Sequence, residues 1–336
     1  MLPLVVWLRY SEEIVSAGGL AAFVEAAVGR RAALVQAAIW SFSYFLYLPY
    51  TVSDVVYEML GDVFPGLHPW RPVLQIALPL AIVAFVLART TTVLRVLLVS
   101  AASQLGLMLI FAFVMLRHVG APSSSFTRVP AVSHLARGGS NIALLFLCGS
   151  LPLFLGAEVV GGSRTVRRSL LIAGAVVGGY LVFAVFPLAA VDPALTHAHL
   201  PGYVIADAYS GRALAIAIGV GGAVSVTGLV VAEYLALSRL LHAVTRLPVR
   251  RLLVWIGVPF VAFDALSLID PVSFDKNVLR PSLVALFLSQ LMVFGVFPVY
   301  RARRGKLTPF DVLLAAGAFA LMMWGLYRAV SHPVST

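Results

Sequence analysis

Nine stretches of this chain each run for about twenty residues with hardly a charge in them, near 32–53, 72–88, 93–116, 141–162, 169–191, 212–241, 251–269, 281–300 and 309–327. A helix crosses a hydrocarbon core in roughly 20 residues, and there it must satisfy every backbone N–H and C=O internally because no water reaches them. A soluble fold of 336 residues has no use for a composition that is 61% hydrophobic and 11% charged. The implied fold class is an all-α polytopic membrane protein. A single integral membrane domain covers 1–336, with lipid as its surroundings.

Sidedness follows from the short connections between the runs. Arg9, Arg30, Arg31, Arg89, Arg95, Arg164, Arg167, Arg168, Arg239, Arg246, Arg250, Arg251, Arg301, Arg303, Arg304 and Lys306 share one side, 16 of the 24 basic residues. The opposite connections hold Asp62, Asp192, Asp207, Asp270 and Asp275. Positive charge marks the cytoplasmic face. That places the arginine-rich side inside and the C-terminus SHPVST outside. The net charge of +10 is thus topology, and no nucleic-acid partner is expected.

Residues 148–162, CGSLPLFLGAEVVGG, are poor material for an ordinary membrane helix. Pro152 removes a donor and clashes with the preceding turn, and Gly149 and Gly156 weaken the helix on either side. The pattern predicts two half-helices meeting near Leu151–Gly156, beside a polar chamber that covers the freed backbone. A simple kink is the alternative. Glu158 is a carboxylate at membrane depth, so it faces protein or water. It either accepts a proton or anchors the half-helix, through loop N–H groups or Arg164. In SFSYFLYLPYTVSD (41–54), Tyr44, Tyr47 and Tyr50 follow one another at i, i+3, a tyrosine-rich face able to stack over an amine. Tyrosine at a membrane interface accounts for the same pattern. Glu233 is expected to pair with Arg239 near the inner surface.

Other chemistries find little support. The lone Cys148 excludes an intrachain disulfide. The seven histidines fall in connections or at helix ends, away from haem or metal positions at mid-depth. His197 and His199 form an H-x-H near Asp192, which reads as a solvated outer loop. No phosphate-binding glycine loop or Ser-His-Asp spacing is present, so no cofactor and no enzyme activity are expected.

Three segments resemble the amino acid–polyamine–organocation superfamily of permeases. SAGGLAAFVEAAVGRR (16–31) is similar to the interfacial segment after that family's second helix, through Ala17, Gly18, Gly19, Phe23 and Gly29. Val15 replaces the usual proline. LFLGAEVVGGSRTVRRSLLIAG (153–174) is similar to the sixth helix and the loop after it, through Gly156 and Glu158, with Ala157 where an aromatic residue is usual. EYLALSRLLHAVTRLP (233–248) is similar to the end of the eighth helix, through Ser238, Arg239 and Pro248. The resemblance implies a LeuT-like inverted-repeat helical bundle with about nine complete spans and a partial one at the start.

In that register 1–15 is the remnant of helix two and 16–31 the cytoplasmic interfacial segment. Helices three to five occupy 32–116, helices six to ten 141–300, and helix eleven 309–327. Helix one would lie upstream of Met1 or be lost. MLPLVVWLRYSEE offers only about 12 Å of apolar helix, which fits a helix without its front half.

By resemblance, the substrate would be an amino acid or related small organic amine, carried by ion- or proton-coupled alternating access. Backbone at Gly149, Ser150, Leu151, Pro152 and Gly156 would contact it, with Tyr44 and Tyr47 beside them. Glu158 would serve coupling, and Ser225 or Thr227 would hold an ion (H+ or Na+). Ser225 and Thr227 are two apart, so at most one lines such a site. A truncated, non-transporting relative that acts in membrane interaction or sensing is the alternative.

Overall fold

The computed structural model describes residues 2–120, 148–188, 191–198 and 200–331. Among them every regular element is helical. The elements are α1 (Leu2–Tyr10), α2 (Gly19–Val28), α3 (Arg30–Ser53), α4 (Arg71–Val86), α5 (Thr90–Val119), α6 (Gly162–Leu188) and α7 (Pro201–Ser210), followed by α8 (Arg212–Thr245), α9 (Val249–Asp264), α10 (Pro271–Gly295), α11 (Phe297–Arg303) and α12 (Pro309–Ser331). A π-helical turn, Asp54–Met59, prolongs α3, and a 3₁₀ segment, Cys148–Glu158, precedes α6.

Seven helical stretches among the described residues are long and apolar enough to cross a membrane. They carry α3, α4, α5, α8, α9, α10 and α12, and the chain is a helical membrane protein. The other two expected spans come out differently. Residues 169–188 of the run at 169–191 belong to α6, a helix of 27 residues, and 189–190 lie outside the described residues. Of the run at 141–162, residues 141–147 lie outside the described part, and Cys148–Glu158 is 3₁₀. The span expected at 281–300 starts ten residues earlier, at Pro271, because Asp270 caps the helix by accepting a hydrogen bond from Ser273 N at 3.1 Å. Asp275 is therefore inside a helix instead of a loop, and Asp207 likewise sits in α7.

The 3₁₀ geometry explains its own burial pattern. With three residues per turn, side chains eclipse every third position. Ser150, Leu153 and Gly156 form one buried ridge, and Leu151 and Phe154 begin a second. Gly149, Pro152 and Glu158 form the third, which is exposed. Pro152, which an α-helix interior tolerates badly, stands on the outward ridge.

α3 and α10 run antiparallel through the middle of the molecule. Ser43 Oγ donates to Ser282 O at 2.8 Å, and Ser282 Oγ donates back to Ser43 O at 2.9 Å. The main core gathers Val6, Trp7, Phe23, Trp40, Phe154, Phe294 and Phe297. A smaller cluster, with Val63, Phe111 and Tyr203, lies under α7.

At the arginine-rich end an ionic net ties four parts of the chain. Glu12 meets Arg167 and Arg301, Glu13 meets Arg304 and Lys306, and Asp311 meets Arg9 and Arg301. Lys306 donates a hydrogen bond to Glu13, which holds that carboxyl below the ordinary glutamate range. Burial opposes the shift, while the Lys306 charge, the Tyr300 hydroxyl and Arg304 add to it.

Candidate functional site

The three segments singled out in the sequence meet around the 3₁₀ segment. Gly19 lies in the left-handed region at φ +50°, and a Cβ there would sit 2.4 Å from the Phe154 ring. Only glycine fits both the conformation and the space. Gly156 is similarly close-set, since a Cβ on it would come 2.9 Å from Val15. The paired glycines therefore let the chain at 15–19 lie flat on the 3₁₀ segment. Gly29, at φ +101°, then turns α2 into α3.

Glu158 and Arg239 close the arrangement. Arg239 Nε donates to Glu158 Oε1 at 2.9 Å, and its remaining nitrogens reach Ser238 Oγ at 3.1 Å and Thr90 Oγ1 at 3.0 Å. The Arg239 side chain is 4% exposed and that of Glu158 43%. Glu158 thus neutralises a guanidinium enclosed between the 3₁₀ segment, α5 and α8. That is the geometry of an anchor, with Arg239 rather than Arg164 as its partner.

The environment of the segment differs from the expected polar chamber. Phe154 packs tilted against Trp40 with ring centroids 4.4 Å apart, and Trp40 stacks on Tyr44 at 3.9 Å. Tyr44 therefore belongs to an aromatic ladder joining α3 to the 3₁₀ segment. Tyr47 is turned toward Tyr50, 5.7 Å away. Ser150 and Leu151 are buried, while Gly149 and Pro152 face outward. Beside Gly149 is a cavity of about 110 Å³, lined by Leu4, Trp7, Leu170, Gly174 and Val177. Its walls are apolar because α1 and α6 present their greasy faces there.

The expected ion ligands part company with this region. Thr227 donates to Ala223 O within its own helix at 2.8 Å. With Val224 and Val231 it lines an apolar crevice of about 410 Å³ toward α4 and α5. Ser225, two residues away, is half-buried on another face of α8. His199 lies outside the described residues.

Other polar groups are buried in the core, two of them glutamines that the spacing left unassigned. Gln36 on α3, Glu233 on α8 and Gln290 on α10 are each 0% exposed. Both polar atoms of each side chain lack a hydrogen-bond partner among the described residues, as do the Trp7 and Trp40 indole nitrogens. Glu233 does not pair with Arg239. Six residues apart on a helix, the two point about 120° away from each other, and Arg239 is spent on Glu158. Glu233 also lies about 160° around α8 from Val231, and so points away from the apolar crevice. The serine pair fixes the heights of the two glutamines. Gln36 is seven residues from Ser43 and Gln290 eight from Ser282, both toward the arginine-rich end, so they lie within about 2 Å of one level. A glutamine inside an apolar run was the available signal, since amides and carboxylates at membrane depth carry a cost unless they serve a purpose. No family model matches this chain, and no curated protein matches it.

Proposed function

We propose that the chain is a secondary active transporter of amino acids or related small organic amines. In this reading it is a permease of the LeuT-like inverted-repeat kind in a cell membrane, with its arginine-rich end cytoplasmic and its C-terminus outside. The observation that carries the reading is Glu233, a fully buried carboxylate with no hydrogen-bond partner for either oxygen among the described residues. A lone charge there would cost so much that the group must be neutral or matched by a cation. Gln36, Gln290 and the Trp7 and Trp40 indoles add unpaired donors and acceptors in the same core. Each unpaired group costs about 1–3 kcal/mol. A polar solute or water passing through the bundle would satisfy them.

In this reading Glu233 carries the coupling proton, and Glu158 holds the 3₁₀ segment to α8. The convergence of the glycines and the Glu158–Arg239 pair supports the superfamily resemblance, because the residues that carry it touch. The packing of Phe154 between Trp40 and Gly19 favours a second reading, a non-transporting relative that works as a membrane interaction or sensing protein.

Uptake separates the two. Full-chain protein in proteoliposomes is supplied with a panel of labelled amino acids and amines, with and without an imposed proton gradient. Gradient-driven accumulation that disappears in Glu233→Gln supports transport. Absence of uptake for every substrate, with the protein folded, gives the second reading.

A further inference from the structure

Between α4, α5 and α8, small side chains leave the bundle open toward lipid. The apolar crevice of about 410 Å³ found there has no charged residue in its wall. Ile82, Ala223 and Val231 form its buried floor, and Ala81, Val96 and Val224 its exposed rim. Gly228 keeps the gap, since a Cβ on it would already come within 3.4 Å of Leu97. Along α8 the lining runs from Val220 to Val231, about 16 Å of helix rise. A hydrocarbon core is roughly 30 Å thick, so the crevice has the depth of one leaflet.

Two arginines stand at its arginine-rich end. Phe85, in the crevice wall, is four residues before Arg89, which lies in the short turn from α4 to α5. Arg95 follows in the first turns of α5, next to Val96 of the rim. Helical side chains lean toward the N-terminus of their helix, which for α5 is the end bearing Arg89. Arg95 can therefore lay its stem along lipid and bring its charge to the level of Arg89. Both arginines are exposed, and neither belongs to an ion pair among the described residues, unlike Arg239, which Glu158 neutralises. Thr91 and Thr92, also exposed, lie between them. Thr90, at the start of the same helix, accepts from Arg239 at 3.0 Å.

We propose that this crevice binds one phospholipid with an anionic headgroup, drawn from the leaflet at the arginine-rich end. One acyl chain fills the crevice, and the phosphate lies against Arg89 and Arg95. A basic cluster beside a gap between membrane helices is suited to such a headgroup. Length and polarity favour an acyl chain, which spans one leaflet and brings no backbone N–H or C=O into apolar walls, as a peptide segment would. Charge excludes the other occupants. A second copy of this chain would bring its own Arg89 and Arg95 to the same level, and phosphatidylcholine would set an ammonium beside two uncompensated guanidiniums. The bound headgroup would lie one residue from Thr90, and so beside the Arg239 that anchors the 3₁₀ segment.

Lipid binding here does not depend on the transport reading and is tested without uptake. Full-chain protein in non-ionic detergent is titrated with dioleoylphosphatidylglycerol or dioleoylphosphatidylcholine, and bound lipids are counted by native mass spectrometry. One phosphatidylglycerol should be retained at concentrations where phosphatidylcholine is shed. Arg89→Gln and Arg95→Gln should each weaken retention about fivefold, and together roughly 25-fold. Arg250→Gln, an exposed arginine at the same end of the molecule on α9, should leave it unchanged. Ala81→Phe fills the rim and should abolish the selectivity, while glycerol 1-phosphate, which has the charge without the chains, should not compete. Equal retention of the two lipids, wild-type affinity in the double arginine variant, or equal weakening in Arg250→Gln overturns the proposal. So does competition by glycerol 1-phosphate, selective retention in folded Ala81→Phe, or a two-chain species that Ala81→Phe dissolves, which would give the crevice to a second copy. If Ala81→Phe fails to fold on size exclusion, the double arginine variant and the pair of lipids decide.

Discussion

Replacing Gly19 with alanine tests the claim that a single close approach sets the 3₁₀ segment against α2. Two costs add. The residue sits at φ +50°, where an L side chain costs about 1–2 kcal/mol. The new Cβ would lie 2.4 Å from two carbons of the Phe154 ring, and overpacking of that kind costs about 1–3 kcal/mol. The sum is about 2–5 kcal/mol, a fall in thermal midpoint of roughly 3–7 °C for a chain of this size. Near-ultraviolet dichroism in detergent micelles would report it, because Trp40 packs directly against Phe154. The two costs separate in a Phe154→Ala background, where the ring is gone but the backbone conformation remains. There Gly19→Ala should cost only the conformational part, about 1–2 kcal/mol. The coupling between the two sites should then be about 1–3 kcal/mol. An equal cost in both backgrounds would refute the steric reasoning, and no cost in either would refute the packing itself.

Three further outcomes follow from the geometry. Glu158→Gln should destabilise by about 1–2 kcal/mol, discounted for its half-exposed side chain, and Arg239→Gln by about 2–4 kcal/mol. The double variant should cost about as much as Arg239→Gln alone, and strict additivity in thermal unfolding would show that the pair is not coupled. Ser43→Ala and Ser282→Ala should behave oppositely, because each hydroxyl donates to the other helix's backbone carbonyl. Each should cost about 0.5–1.5 kcal/mol and the double variant their sum, read by the same melt. Glu13, with its folded-state value lowered, stabilises the protein fully above the ordinary glutamate range. That contribution is lost as acidification passes down through the lowered value. Thermal midpoints measured from pH 7 down to about pH 3 should fall less steeply in Glu13→Gln than in the wild type.

Much of the span layout was legible in the sequence because lipid demands long uncharged runs, and seven such helices stand among the described residues. The start of α10 was misplaced because Asp270 caps a helix that runs through polar residues before turning apolar. The awkward composition of 148–158 did signal a departure from α geometry, but its form was unreadable. A kink, two half-helices and a 3₁₀ run all accommodate Pro152, and the choice is made by neighbours such as Gly19 and Trp40. The Glu158–Arg239 pair joins residues 81 positions apart, beyond any local rule. Glu233 was misassigned by proximity in sequence, where helical phase would have argued against pairing.

The 3₁₀ segment also limits how this region of the chain can change. Its inward and outward faces repeat in triplets, so one extra or missing residue advances the register by a third of a turn. Ser150, Leu153 and Gly156 would then exchange places with the ridge bearing Pro152 and Glu158. Length variation inside the segment is tolerable only in steps of three, whereas the neighbouring α-helices absorb steps of three or four. An alignment of true homologues should contain no single-residue gap between Gly149 and Glu158.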